Sequence, residues 1–294
     1  MVTQSVQRAV DLFGRQSWAK PVDSALANLV TQAFAAAGPA GAKAKDFLNG
    51  TWLGHPLHPV LTDVPLGAWT AACVLDAMDT VSGRREFQAG ADTAIVVGIA
   101  GALGAALSGL ADWQYLVDQP RREGLLHGLL NIGALGLYTA SYGLRRTGAR
   151  GAGQVASFLG FSLASVSAYL GGDLVYKDQS GVDHAPTETM PRRFTPVMAE
   201  ADLAEGKLTK AEANGTAVLL YRRGDHINAV AETCSHLGGP LSEGEAADGS
   251  VICPWHGSRF SLEDGHVING PATFPQPCFE TRVREGQIEV RLAR

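Results

Sequence analysis

Apolar and polar positions divide the chain into two halves of different character. Residues 56–176 are apolar and rich in glycine and alanine, whereas residues 177–294 have the short apolar stretches and turn residues of a soluble β domain. The apolar half breaks into four runs close to the roughly 20 residues that a transmembrane helix needs. They are Val60–Met78, Ala94–Leu110, Gly124–Leu144 and Gly153–Val175. Because each helix of a soluble bundle carries a charged stripe and these runs contain few charges, we predict a bundle of four transmembrane helices.

The first fifty residues follow a different pattern. Apolar residues recur at helical spacing between Val22 and Ala37, and Gly38-Pro39 ends the repeat. This predicts an amphipathic helix that lies on a membrane surface or packs on the bundle. The start of the sequence has neither the basic stretch nor the apolar stretch of a signal peptide.

The second half contains strand-like stretches between turn residues. They are Thr216–Arg222, His226–Ala231, Val251–Ile252 and Gln287–Leu292. A polar stretch with prolines precedes them and has the composition of a linker. We therefore predict a multidomain chain: an N-terminal helical segment (1–50), an all-α four-helix transmembrane domain (51–176), a linker (177–194) and an all-β domain (195–294).

Charge and cysteine content narrow the function and the compartment. The net charge is −5, so nucleic-acid binding has no support. Cys73 lies in an apolar run and Cys278 in a strand-like stretch, so we do not expect them to pair. A chain without a disulfide framework is typical of a reducing compartment.

Two short motifs carry the chemistry of the β domain. Each contains one cysteine and one histidine, as Cys234-Ser235-His236 and as Cys253-Pro254-Trp255-His256. A set of two Cys and two His suits a structural zinc site or an iron–sulfur cluster. Zinc fingers group Cys with Cys and His with His, whereas here each loop supplies one of each. This arrangement favours a binuclear iron–sulfur cluster.

The two motifs, with the glycines that follow them, resemble those of the Rieske family over about residues 195–294. The resemblance implies an antiparallel β fold and a [2Fe-2S] cluster, with Cys234 and Cys253 on one iron and His236 and His256 on the other. It also implies that Ser258 donates a hydrogen bond to a bridging sulfide.

Three positions differ from the high-potential members of that family. Those members carry a cross-linking cysteine pair, which would fall at Gly239 and Trp255, and a tyrosine at the position of Phe260. The chain therefore lacks one hydrogen-bond donor to the cluster, and hydrogen bonds to the sulfurs raise the potential. We predict a potential toward the lower end of the Rieske range, near about −150 mV.

A third motif, His55-Pro56-Leu57-His58-Pro59, opens the first apolar run. It resembles the HPxHP signature of a family of four-helix bacterial membrane domains of unknown function, which is sometimes fused to Rieske domains. Four alternating spans place several polar and aromatic residues together on one side of the membrane. They are His55, His58, Asp63, Asp112, Trp113, His127 and Asp173. Three interpretations remain open. His58 and His127 bind haem b as axial ligands, they take part in a quinone site, or they serve as helix caps without a cofactor.

These features predict a membrane-anchored Rieske electron carrier in a respiratory or quinone-linked redox chain. It would exchange electrons with a redox partner protein or a quinone, as a multi-pass protein of the cell membrane that can be part of a membrane complex. Because the chain has neither a signal peptide nor a disulfide framework, we expect the β domain to lie on the cytoplasmic side. Too few residues follow His256 for the catalytic domain of a Rieske oxygenase. The alternative is a membrane transporter, sensor or haem-binding domain whose Rieske domain reports the redox state.

Overall fold

The chain forms two compact units in a computed structural model that describes residues 12, 13, 16, 18–185 and 189–293. The helical unit comprises the residues up to Ala42 together with Leu57–Ser180, and the β unit comprises Lys43–Pro56 together with the residues from Gly181 onward. The start of the predicted 1–50 segment and residues 186–188 of the predicted linker lie outside the described residues. The domain limits expected from the sequence stay predictions.

Six α-helices precede the β-strands in the described part of the chain. They are α1 (Ala19–Ala36), α2 (Gly38–Asn49), α3 (Leu57–Ser82), α4 (Arg85–Trp113), α5 (Asp118–Arg146) and α6 (Arg150–Tyr176). The four predicted apolar runs fall in α3, α4, α5 and α6, and short connections make consecutive helices antiparallel neighbours. The predicted all-α bundle is thus confirmed as a fold class.

The predicted number of apolar spans is corrected from four to three. The helices α3, α4 and α6 are long and apolar enough to cross a membrane by length and composition, and α5 is not among them. The reason lies in uncharged polar residues in the middle of α5. His127, Asn131 and Ser141 interrupt its apolar run.

The core of the helical unit is built around two stacked aromatic rings. Trp69 of α3 and Tyr138 of α5 are both buried, with ring centroids 4.1 Å apart and nearly parallel planes. Gly98 of α4 lies against the Trp69 ring so closely that a Cβ atom there would be 2.2 Å from the indole nitrogen. Small residues therefore let the helices approach each other closely in the middle of the bundle.

A network of ion pairs joins all four long helices at one end of the bundle. Arg145 forms a two-fold ion pair with Asp76 and a further one with Asp92 at 3.2 Å. Arg150 pairs with Asp79 at 2.9 Å and with Asp92 at 3.1 Å. Because charges buried in an apolar bundle are costly unless they are paired, this network fixes how the helices meet at that end.

The β unit contains two antiparallel sheets. The six-stranded sheet has the order β1-β10-β9-β4-β3-β2, and the four-stranded sheet has the order β5-β6-β7-β8. The strands are β1 (Thr195–Ala199), β2 (Thr209–Ala213), β3 (Thr216–Arg223), β4 (His226–Ala231), β5 (Glu245–Ala247), β6 (Ser250–Ile252), β7 (Arg259–Ser261), β8 (Val267–Asn269), β9 (Cys278–Arg284) and β10 (Gln287–Leu292). The predicted strands correspond to β3, β4, β6 and β10. One of the two apolar cores includes Cys234, Cys253 and Phe260.

Candidate metal centre

The two motif loops of the β unit share one backbone construction. The first loop follows β4, and the second joins β6 to β7. In each loop the cysteine closes a tight turn by accepting one backbone hydrogen bond and donating another. The bonds are Cys234 N–H to Gly239 O (2.9 Å), Gly238 N–H to Cys234 O (2.9 Å), Cys253 N–H to Ser258 O (2.8 Å) and Gly257 N–H to Cys253 O (3.1 Å). Gly238 and Gly257 have φ of +79° and +76°, which glycine adopts without strain.

The two cysteine side chains are buried next to each other. The Cys234 thiol donates a hydrogen bond to Cys253, and this bond is the main reason why the pKa of Cys253 is lowered to about 6. The same contact, together with burial, raises the pKa of Cys234. Backbone N–H groups also point at both sulfurs, as they do around metal-bound thiolates. They belong to His236 and Leu237 at Cys234, and to Trp255 and His256 at Cys253.

The two histidine side chains form a second pair on the outer side of the cysteines. The rings of His236 and His256 have centroids 5.1 Å apart and are almost perpendicular. Burial, with smaller contributions from His256 and His184, lowers the pKa of His236 to about 3, and burial lowers the pKa of His256. Both imidazoles are therefore neutral at pH 7, which is the form that binds a metal. Unlike the buried cysteines, both histidines are partly exposed.

The donor set fits a [2Fe-2S] cluster. Each loop contributes one residue to a cysteine pair and one to a histidine pair, so two ligands of one type are available for each of two irons. In the described part of the chain no group of three or more His, Cys, Asp and Glu side chains surrounds a single metal position. A binuclear cluster takes two protein ligands for each iron, so that finding does not bear on it.

Ser258 and Phe260 follow Cys253 in the second motif loop, and both are fully buried. Ser258 is fully buried, and its hydroxyl oxygen accepts the N–H of Ala272 at 3.0 Å. Its hydroxyl hydrogen therefore stays available for a further acceptor. Phe260 is fully buried in the core that contains both cysteines, and its ring has no polar group to offer them.

A third loop, residues 270–276, supports both motif loops and was missed by the sequence analysis. The buried Gln276 side chain accepts the N–H of Ser235 at 3.1 Å and donates to the carbonyls of Ala231 at 2.9 Å and Thr233 at 2.5 Å. The Ser235 hydroxyl donates to the carbonyl of Phe274 at 2.8 Å. The turn-forming prolines at 271 and 275 were the available signal for this loop.

Gly239 and Trp255 face each other across the two loops. A Cβ atom at Gly239 would lie 3.1 Å from Cγ of Trp255 and 2.8 Å from the sulfur of Cys253. The indole ring of Trp255 thus packs on Gly239, at the two positions where the high-potential Rieske proteins would carry their cross-link. Cys73, Cys234, Cys253 and Cys278 are free cysteines.

The structure separates His55 from His58 and His127, the other two histidines expected at the same end of the bundle. His58 and His127, both in the helical unit, have ring centroids 6.2 Å apart. His55 belongs to the β unit, where its ring contacts Phe274 edge-on at 6.3 Å. The expected histidine pair therefore forms, and His55 is not part of it.

Comparisons with known proteins match a known family to each unit. The family described as "Rieske [2Fe-2S] domain" matches residues 193–280, and "Predicted membrane protein (DUF2231)" matches residues 54–184. The ferredoxin CarAc of Metapseudomonas resinovorans is 40% identical over 96 residues, which are 32% of this chain and 89% of that protein.

Two further similarities fall in the same region. The cytochrome b6-f complex iron-sulfur subunit of Chlorobaculum tepidum is 31% identical over 93 residues, 32% of this chain and 50% of its own length. A solved complex of reduced oxygenase and oxidized ferredoxin in carbazole 1,9a-dioxygenase matches with 32% identity and a TM-score of 0.32, covering 34% of this chain and 94% of the matched one. Through its β unit, which carries the paired cysteines and histidines, the chain belongs to the Rieske [2Fe-2S] family, and a DUF2231 membrane domain precedes the cluster-binding domain.

Proposed function

We propose that Cys234 and Cys253 bind one iron of the [2Fe-2S] cluster and that His236 and His256 bind the other. The observation that carries this assignment is the pairing by residue type, with buried sulfurs that accept backbone N–H groups and neutral imidazoles outside them. When bound, the cluster stores and releases one electron at a time. The protein holds the ligands in place and keeps water from the sulfurs.

The proposed route for the electron runs through the histidine side. Both imidazoles are partly exposed, whereas both cysteines are buried. Next to His256 lies Trp255, with a ring centroid distance of 6.3 Å and 56% of the residue exposed. A partner that covers this surface approaches the histidine-bound iron more closely than the cysteine-bound one.

The chain is a membrane-linked Rieske electron-transfer protein, and we propose that it serves a respiratory or quinone-linked redox chain. It would exchange electrons with a redox partner protein or a quinone, within a membrane complex. Support comes from relatives named as a ferredoxin and as a subunit of a cytochrome b6-f complex. Phe260 in place of a tyrosine, and Gly239 and Trp255 in place of a cross-linking cysteine pair, support a potential near the lower end of the Rieske range. We place the β unit on the cytoplasmic side and regard the protein as multi-pass.

A second candidate function makes the helical unit primary, as a transporter or sensor with a Rieske domain that reports the redox state. The network of Asp76, Asp79, Asp92, Arg145 and Arg150 favours it. Ionisable groups inside membrane domains often mark transport or relay sites.

One set of measurements tests the electron-carrier proposal. An EPR and optical redox titration of the purified full-length protein should show a Rieske-type signal, and His236→Ala should abolish it. His266→Ala is the matched control, because His266 is an exposed histidine of the same unit that pairs with Asp264 at 2.6 Å. A surviving signal in His236→Ala would refute the ligand assignment.

The electron donor is tested in isolated membranes. Reduction of the cluster by an added quinol supports the quinone-linked chain. Reduction only by a soluble ferredoxin reductase supports a ferredoxin-like role with a protein partner. A cluster that accepts electrons from neither source, and whose reduction changes a transport activity, favours the second candidate.

A further inference from the structure

The helical unit is an internal repeat of two helical hairpins. Residues of α5 lie 69 positions after their counterparts in α3, and residues of α6 lie 62 positions after their counterparts in α4. Several aligned positions are identical. They include His58 and His127, Leu66-Gly67 and Leu135-Gly136, Thr70-Ala71 and Thr139-Ala140, Gly98 and Gly160, Ala102 and Ala164, and Gly109 and Gly171. The first hairpin (α3 and α4) and the second (α5 and α6) are therefore equivalent.

Equivalent residues touch each other at three levels of the bundle. His58 meets His127 at one end, Trp69 stacks on Tyr138 in the middle, and Asp76 forms its ion pair with Arg145 at the other end. Such self-pairing occurs on a pseudo-two-fold axis. From the histidines to the ion pair the helices run 18 residues, about 27 Å at the α-helical rise, close to the thickness of the hydrocarbon core of a bilayer.

The two histidines are held in the same way by the two hairpins. Nδ1 of His58 lies 2.8 Å from the carbonyl oxygen of Ala105, and Nδ1 of His127 lies 2.8 Å from the carbonyl oxygen of Ser167, its counterpart. Each ring also packs on a counterpart glycine. A Cβ atom at Gly109 would be 2.8 Å from Cε1 of His58, and one at Gly171 would be 3.2 Å from Cε1 of His127.

These contacts decide which ring nitrogen carries the proton. A neutral imidazole has one donor and one acceptor, and a backbone carbonyl can only accept. Each Nδ1–H is therefore donated to its carbonyl, and Nε2 of both rings is an acceptor. Nε2 of His127 accepts the side-chain amide of Asn131 at 3.1 Å, so a metal bound there takes the place of that donor. An Nδ1–H tied to a carbonyl is the arrangement by which proteins orient metal-ligating histidines.

The separation of the rings selects the kind of ligand. Two metal–nitrogen bonds of about 2.0–2.1 Å, plus the distance from each nitrogen to its ring centre, span about 6 Å in total. The observed centroid distance is 6.2 Å. A quinol with a hydroxyl bonded to each Nε2 needs a much wider gap.

We propose that His58 and His127 form a two-histidine site for a transition metal, on the pseudo-two-fold axis at one end of the helical unit. The shared chemistry is a metal that takes two neutral imidazoles, and the metal is either the iron of a haem or a free transition-metal ion. This site is independent of the [2Fe-2S] cluster and of the ligands assigned to it.

The test uses the tag-free, full-length protein in detergent, purified from cells supplied with haem precursor and trace metals. Metal content per chain, the visible spectrum and the Rieske EPR signal are measured on the same sample. We expect one metal equivalent beyond the cluster iron. A Soret band identifies it as haem iron, and its absence, with one extra equivalent, identifies a free ion. Either His58→Ala or His127→Ala should remove that equivalent and leave the cluster EPR signal unchanged.

A glycine pair provides variants that keep both histidines. Gly109→Ala pushes a methyl group against the His58 ring, whereas Gly67→Ala, on the neighbouring helix, meets nothing within 4 Å. Titration of cluster-loaded protein, purified without added haem precursor, with haemin and separately with Co²⁺, should show affinity weakened about tenfold or more by Gly109→Ala and unchanged by Gly67→Ala. The proposal is overturned if wild type carries no extra equivalent and binds neither probe. It is also overturned if the histidine variants retain what wild type binds.

Discussion

Replacing Ser258 by alanine tests how the protein sets the potential of the cluster. In the structure the Ser258 oxygen accepts the Ala272 N–H, so its hydrogen is left to donate toward the cluster. A hydrogen bond contributes about 0.5–1.5 kcal/mol net, and about 1.4 kcal/mol corresponds to 59 mV for one electron. If the bond strengthens as the cluster gains negative charge, Ser258→Ala should lower the potential by about 20–65 mV.

The same substitution has a second, separable effect on stability. It leaves the Ala272 N–H without its acceptor in a buried site, and an unsatisfied buried group costs about 1–3 kcal/mol. Denaturant unfolding of the cluster-loaded protein should therefore show a lower free energy of unfolding. Because the potential and the stability are measured independently, the shift in potential cannot be ascribed to partial unfolding when the folded fraction is known.

Ser235→Ala is the matched control. Ser235 is a fully buried serine in the other motif loop, but its hydroxyl donates to the Phe274 carbonyl at 2.8 Å. Its hydrogen is thus already used, and its loss should destabilise the protein with little change in potential. EPR-monitored redox titration of the two variants and wild type provides the comparison. The reasoning fails if Ser258→Ala leaves the potential where it was, or if Ser235→Ala shifts it by as much.

Three further predictions concern contacts away from the cluster. Arg145→Met should lower the free energy of unfolding by about 3 kcal/mol, because it leaves the buried Asp76 with only the weaker ion pair to Arg150 at 3.9 Å. Unfolding in mixed detergent measures this change, and an unchanged midpoint would contradict it. Gln276→Leu removes three hydrogen bonds around the first motif loop, at about 3 kcal/mol, and should speed thermal bleaching of the cluster. The hydrogen bonds from Ser261 and His266 lower the pKa of Asp264 to about 2. Their small stabilisation is present above the ordinary carboxyl pKa and is lost as pH falls toward 2; NMR titration should show a higher Asp264 pKa in His266→Ala.

The cluster motifs could be recognised in the sequence because each is local. Cys234 and His236 are two residues apart, and Cys253 and His256 are three apart, so a short motif defines each loop. The supporting loop could not be recognised in the same way. Gln276 bonds to residues more than forty positions earlier, and such contacts follow from strand pairing that local patterns do not define.

In the helical unit the positions of the long helices were predicted from the sequence, but the internal repeat was not. Apolar runs predicted where its long helices lie, because a helix that crosses a membrane is apolar on nearly all sides. The repeat was missed because its identical positions are scattered and have two different offsets, 69 positions from α3 to α5 and 62 positions from α4 to α6. The contacts of Trp69 with Tyr138 and of Asp76 with Arg145 made the equivalence apparent.

Residues just before α3, including His55 of the HPxHP motif, pack on the loop that supports the two cluster motifs. Residues 43–56 precede α3 in the chain but belong to the β unit. There the Asp46 carboxylate accepts the Gly270 N–H at 3.0 Å and the Asn269 side-chain amide at 3.1 Å, and His55 packs against Phe274. These contacts stabilise residues 270–276, the loop that bonds to Ser258 and Ser235. The two histidines of the motif thus have different surroundings. His55 packs on the loop that bonds to both motif loops, and His58 lies at the start of the helix that carries the proposed second metal site.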